Sequence, residues 1–234
     1  MIYPLQFPNC LGIRFKYVMR LLMCCLLCLA TIGCISTKYI EQKQYLLNIK
    51  TLSEKKIASN ECLVFVDHVT AIAPFDQLDF LYRIKSSRYL TDYYHAFLVS
   101  PTEQLERVLT NYLKALGNFN LDTTESLAVQ NKLQVQITEF YADYRDHDHP
   151  NAVIGLHFVL TKLVDDKSVV LFDKVLHAQV ALKKKDTSSL LMAWNVGLQD
   201  ILMRGIRSLN AVLSKNPCIN SMAVPGSNLK KIVN

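Results

Sequence analysis

The first 33 residues contain no acidic side chain, only Arg14, Lys16 and Arg20. The apolar run inside them, residues 21–32, is 12 residues long. A spanning helix needs ~20 apolar residues, so this run is too short to be a membrane anchor helix. Missing too are a glycine-rich phosphate loop, a serine elbow and a cysteine–histidine signature. No cysteine spacing suits zinc. These absences leave no positive evidence for catalysis, and the chain is expected to be no enzyme, with no catalytic residue, metal or cofactor. Strong charge is lacking as well. The formal net charge is +6, and beyond residue 33 there are 23 Lys and Arg against 20 Asp and Glu. So weak and scattered an excess argues against nucleic-acid binding. What the chain has in quantity is apolar side chains, half of all residues. That is enough for a real core and too many for wholesale disorder.

A basic segment, a short apolar run and small residues at its end are the parts of a secretory signal. Met19-Arg20 would begin a more compact version of it. The end, Ala30-Thr31-Ile32-Gly33-Cys34, resembles a lipobox, with Thr31 standing where most lipoboxes carry Leu. The peptidase needs small side chains before the cut, and lipid transfer needs a thiol at the new N-terminus. Residues 1–33 are therefore expected to be a lipoprotein signal peptide, with Cys34 the acylation site. Residues 34–43 follow as lipidated N-terminus and tether, 44–215 as one domain and 216–234 as a loose tail. Two or more acyl signals make anchoring stable, at ~0.8 kcal/mol per buried methylene. Ile35 follows the cysteine where an Asp would favour inner-membrane retention, so the expected address is the outer membrane, facing the periplasm. Four cysteines leave with the signal and Cys34 is acylated, which leaves Cys62 and Cys218. The compartment permits a disulfide between them.

The mature part reads mostly as strands, at residues 45–49, 62–66, 80–84 and 90–97. The period then changes. Apolar residues at three- and four-residue spacing predict a helix over 101–116, with Ser100 as N-cap, Pro101 at the first position and Glu103 completing a capping box. Strand patterns return at 133–138, 152–163 and 169–182, the last two joined by a turn at 165–167. A second helix, over 188–214, carries a broad apolar stripe, and Gly197 and Gly205 within it mark close packing. The sum is an α+β domain, an antiparallel sheet packed by two main helices.

Four groups of side chains invite a chemical reading. Asp146-His147-Asp148-His149 could ligate a metal, yet a solvated turn before Pro150 explains it fully. Asp67-His68 has the types for acid–base work, with no nucleophile nearby in sequence. His157 and His177 lie inside strand patterns, as residues satisfied at an edge or in the core. The aromatic positions Tyr89, Tyr93, Tyr94 and Phe97, with Trp194 on the last helix, read either as packing or as a surface for a partner or lipid.

Several segments, in their order and spacing, resemble one family. They are Leu81-Tyr82-Arg83, Tyr89, Asp92-Tyr93-Tyr94 and Phe97-Leu98-Val99-Ser100-Pro101, then Tyr141-Ala142-Asp143-Tyr144-Arg145-Asp146 and Ala193-Trp194-Asn195. Together they are similar to the ABC-type transport auxiliary lipoproteins over roughly residues 34–215. The resemblance implies a fold like the N-terminal domain of TolB and a non-catalytic role. It implies partners too: an MCE-domain periplasmic protein with its permease and ATPase, moving phospholipid or another hydrophobic cargo across the envelope. A homo-oligomeric ring would suit that role. The alternative expectation is a free-standing envelope lipoprotein that binds a lipid or small apolar ligand in its own cavity.

Overall fold

The computed structural model describes residues 17–23, 41–49, 62–116, 119–122 and 131–216. The chain forms two compact units, Met1–Ile40 and Glu41–Asn234. In the first, residues 17–23 are helical. Cys34, Cys218 and the tail from 217 onward lie outside the described residues, and so does the expected Cys62–Cys218 bridge. The second unit begins at Glu41, three residues before the expected domain boundary.

That unit is α+β, with one large sheet packed against two helices. Its first strands are β1 (Lys43–Tyr45), β2 (Cys62–Val66), β3 (Thr70–Ala71), β4 (Asp79–Lys85) and β5 (Arg88–Phe97). Helix α1 (Pro101–Leu116) leads to β6 (Phe119–Asp122), and then come β7 (Asn131–Asp143), β8 (Asn151–Val164), β9 (Lys167–Ala181) and helix α2 (Thr187–Lys215). The expected strand at 45–49 lies earlier, at Lys43–Tyr45. Leu47 is instead buried outside a strand, where its N–H donates to Gln104 Oε1 at 2.7 Å.

The long strand β7 organises the sheet. On one edge it pairs antiparallel with β8, which pairs antiparallel with β9. The β8–β9 hairpin turns through Asp165 and Asp166 at φ 48° and 60°. A two-residue turn with both central φ positive matches strand twist, and Asp tolerates that conformation better than most side chains. On its other edge β7 receives β2, β3 and β4 in succession, all parallel, at residues 131–133, 136–137 and 142–143. The sheet is thus mixed, a correction to the antiparallel expectation. The cause lies in the connection: β2, β3 and β4 run one way along β7, and α1 returns the chain between them and β7. A crossover of that length is what parallel pairing requires. The antiparallel expectation holds for the β7–β8–β9 meander and the β4–β5 pair.

Both helices lie over one face of the sheet. Leu105, Leu109, Tyr112 and Leu113 of α1, and Leu190, Trp194, Leu198, Ile201, Leu202, Ile206 and Leu209 of α2, join alternate residues of β7 and β8 in a single core. Asp186 caps α2, its carboxylate accepting from Ser189 N at 2.7 Å. The two helix glycines do mark close packing. A Cβ on Gly205 would lie 3.0 Å from the Phe158 ring, and one on Gly197 would lie 3.3 Å from Ala178 Cβ.

Candidate functional site

The β4–β5 pair holds the feature most unlike a regular sheet. Asp79 stands opposite Ala96, but Leu81 stands opposite Thr91, so two steps along β4 match five along β5. The surplus residues form a bulge, and Asp92 ties it. Its Oδ1 accepts from Tyr94 N at 2.8 Å and His95 N at 3.2 Å. Its Oδ2 accepts from the Tyr82 hydroxyl at 2.7 Å and lies 2.8 Å from His95 Nδ1. Burial works against the charge on Asp92, but the bonds from Tyr82, Tyr94 and His95 prevail and hold its pKa below the usual carboxylate range. Burial and the Asp92 charge together push the Tyr82 phenol far above its ordinary value.

The consequence is geometric. Successive side chains of a regular strand point to opposite faces, so two adjacent tyrosine rings do not lie side by side. In the bulge they do: Tyr93 is 68% and Tyr94 54% exposed, their rings edge to face at 5.9 Å. Two large rings held side by side in water, with little side-chain entropy left to lose, suit a docking contact.

The other expected surface residues fall elsewhere. Phe97 and Trp194 are a correction: they are 2% and 0% exposed and form the centre of the core. Phe97 lies 4.6 Å from the Phe80 ring, and Trp194 stacks on Phe140 at 5.0 Å. The Trp194 indole N–H donates to Tyr141 O at 3.3 Å, so even its polar atom is satisfied inside. Phe97 lies on the core side of the bulge and Trp194 on the inward stripe of α2, so packing claims both. Tyr89 belongs to a smaller cluster apart from the main core, with Leu81, Tyr141, Val153 and Phe75. It meets Tyr141 edge on at 5.5 Å, and the Arg83 guanidinium lies 5.7 Å from both rings.

The polar groups singled out in the sequence bond one another. Asp146 Oδ1 accepts from Asp148 N and its Oδ2 meets His149 Nδ1 at 3.0 Å, while Lys185 Nζ reaches Asp148 Oδ1 at 3.1 Å. This is a turn closed by its own side chains, open to water. His157 Nε2 lies 2.7 Å from Asp173 Oδ1, and His177 Nδ1 lies 2.8 Å from Glu139 Oε2. Asp67 is engaged by Lys132 at 3.1 Å and Gln134 at 3.1 Å, and His68 Nδ1 lies 3.3 Å from Glu106. A small cleft of about 220 Å³ brings Asp67, His68 and His157 together, which no sequence spacing announced. Nor does sequence spacing announce Asp92 as the organiser of the tyrosine pair. The signal available was an Asp between aromatic residues in a strand that disfavours it.

No family model matches the chain, and no curated protein matches it. Solved structures do. A Xanthomonas campestris protein of DUF330 superposes with a TM-score of 0.66 at 14% identity, over 74% of this chain and 98% of its own. An uncharacterized protein superposes at 0.57 with 15% identity, over 72% and 99%. The α+β fold is shared with both.

Proposed function

We propose that the protein is an envelope lipoprotein, acylated at Cys34 and held at the outer membrane facing the periplasm. In this reading it serves, without catalysis, as an auxiliary docking subunit of an MCE-type ABC transport system for hydrophobic cargo. The observation that carries the proposal is the Asp92-tied bulge. It displays Tyr93 and Tyr94 together, and it lies within 81–101, one of the segments that carry the resemblance to the auxiliary lipoproteins. Adjacent exposed aromatic residues are enriched at protein interfaces. Among the described residues no helix is long and apolar enough to cross a membrane. Attachment in this reading rests on the acyl chains at Cys34, and the shared fold agrees with the α+β domain that the resemblance implies. Cargo of this kind needs a shielded route, since each exposed methylene costs about 0.8 kcal/mol in water.

The test is affinity purification of the tagged full-length precursor from mild-detergent membranes, with mass spectrometry of the proteins and of the N-terminal peptide. An acylated Cys34 peptide and a co-purifying MCE protein with its ATPase are the expected result. An acylated peptide without those partners would remove the transport role and keep the anchor.

A further inference from the structure

Tyr82, whose hydroxyl is fixed by Asp92, also lines a cavity of about 430 Å³. That volume falls within the ~300–1,000 Å³ usual for small-molecule sites. The cavity arises because α2 starts only at Thr187, with Leu190 its first buried residue, while β4 and β5 continue to Lys85 and Arg88. Near their hairpin, Leu90 stays 45% exposed.

The lining is divided. Tyr82, Ile84, Leu90 and Leu190 supply carbon walls, whereas His147, Lys185 and the start of α2 form a polar lip. Tyr144 bridges the two zones. Its ring meets Tyr82 edge to face at 5.5 Å, and its hydroxyl has no hydrogen-bond partner among the described residues. Burial and the Asp186 charge push the Tyr144 pKa upward, so the hydroxyl stays a donor. Lys185 Nζ lies 3.2 Å from His147 Nδ1 and 3.1 Å from Asp148 Oδ1. Asp148 is itself 83% exposed, and an ion pair so open to water is weak enough for another anion to replace it. Asp186 is committed to capping α2. The lip therefore offers donors from Lys185 and the Tyr144 hydroxyl, beside an Asp186 carboxylate already engaged by the helix N-terminus.

Carbon walls with donors gathered at one end fit an amphiphile better than a wholly apolar ligand. We infer that this cavity binds a single-chain amphiphile. Its acyl chain lies along Tyr82, Ile84, Leu90 and Leu190, and its anionic head meets Lys185, His147 and the Tyr144 hydroxyl.

The test uses the full-length protein in neutral maltoside micelles with a diazirine-bearing palmitate analogue, and adducts are mapped by peptide fragmentation after illumination. Adducts should concentrate on Ile84, Leu90 and Leu190. Lys185→Glu should cut that labelling several-fold without shifting Tm, and Leu90→Glu, at an exposed position, should do the same. Unlabelled oleate or lysophosphatidylglycerol should compete. Competition by oleate alone assigns a free fatty acid, and competition by both assigns the acyl–anion pattern generally. Labelling spread equally over exposed Val170 and Tyr93, or unchanged in K185E, would overturn the inference. No partner protein is present in this assay, so its outcome is independent of the docking proposal.

Discussion

Replacing Asp92 with Ala should disturb this protein more than any change to the tyrosines that Asp92 displays. The side chain is 11% exposed, and its two oxygens serve Tyr82, Tyr94 N, His95 N and His95 Nδ1. A hydrogen bond to a charged group contributes ~1.5–3 kcal/mol net. The Tyr94 and His95 amides sit on an exposed bulge and can turn to water, so they recover part of their loss. The Tyr82 hydroxyl is more enclosed and recovers least. We expect Asp92→Ala to cost about 3 kcal/mol in total. At ~2–4 °C per kcal/mol for a domain of this size, Tm should fall by roughly 6–12 °C in a thermal unfolding scan of the detergent-solubilised chain. Tyr94→Ala, which removes only an exposed ring, should change stability by under ~0.5 kcal/mol. Tyr82→Phe should cost about 1 kcal/mol, because the carboxylate keeps its other donors. The double variant D92A/Y82F should be little worse than D92A, since both remove one contact. A D92A variant as stable as Y94A, or full additivity with Y82F, would refute the idea that this carboxylate holds the bulge.

Acid should act on the same residue. Asp92 has a folded pKa below that of the unfolded chain, so its stabilising effect is complete above the unfolded value and lost as pH falls through the folded one. Below about pH 4 the Tm of the wild type should therefore fall more steeply than that of Asp92→Asn, as read in parallel melts. Gln104 is 1% exposed and joins Leu47 N to Val99 O. Gln104→Leu strands both groups and should cost about 3 kcal/mol by urea unfolding. Gly205→Ala should destabilise by about 1–2 kcal/mol, because overpacking against Phe158 exceeds the ~1 kcal/mol gained in helix propensity. Gly197→Ala, with its nearest contacts at 3.3 Å, should cost less in the same melts. Trp194→Phe should lower stability by about 2 kcal/mol, leaving a gap in the core and the Tyr141 carbonyl without its donor.

How far the sequence could be read followed the range of the forces. Helix α1 runs over 101–116 as expected because its signals are local: a Ser100 Oγ that accepts from Glu103 N, a proline at the first turn and a stripe at helical spacing. The long hairpin β8–β9 was legible for the same reason. Strand β7 was expected to stop near 138 and instead runs to Asp143, and a register shift between Ile137 and Glu139 moves its main-core positions from odd to even numbers. That shift hid Phe140 and Ala142 as core residues. Strands β3 and β6 are short and exist only through their partners, so no periodicity marks them. Helix α2 buries Leu190 and Ala193 where Leu191 was expected to lead the stripe.

The candidate site was harder to read. Tyr93 and Tyr94 were named in the sequence, but their joint exposure comes from a mismatch with β4 that only pairing creates. Phe97 and Trp194 carried the same aromatic signal and went inside, since composition does not say which side of a bulge a ring occupies. The cavity beside Tyr82 draws on β4, β5, the 144–147 segment and the start of α2. No sequence window contains it.

Docking through the tyrosine pair is tested by placing a photo-crosslinking residue at position 94 of the full-length chain. Illumination of intact membranes is followed by identification of the adduct. An adduct with an MCE-domain protein is expected at position 94, and none from a control position on β9 such as Val170. Normal expression and membrane attachment with no such adduct at position 94, or the same adduct from both positions, would contradict it.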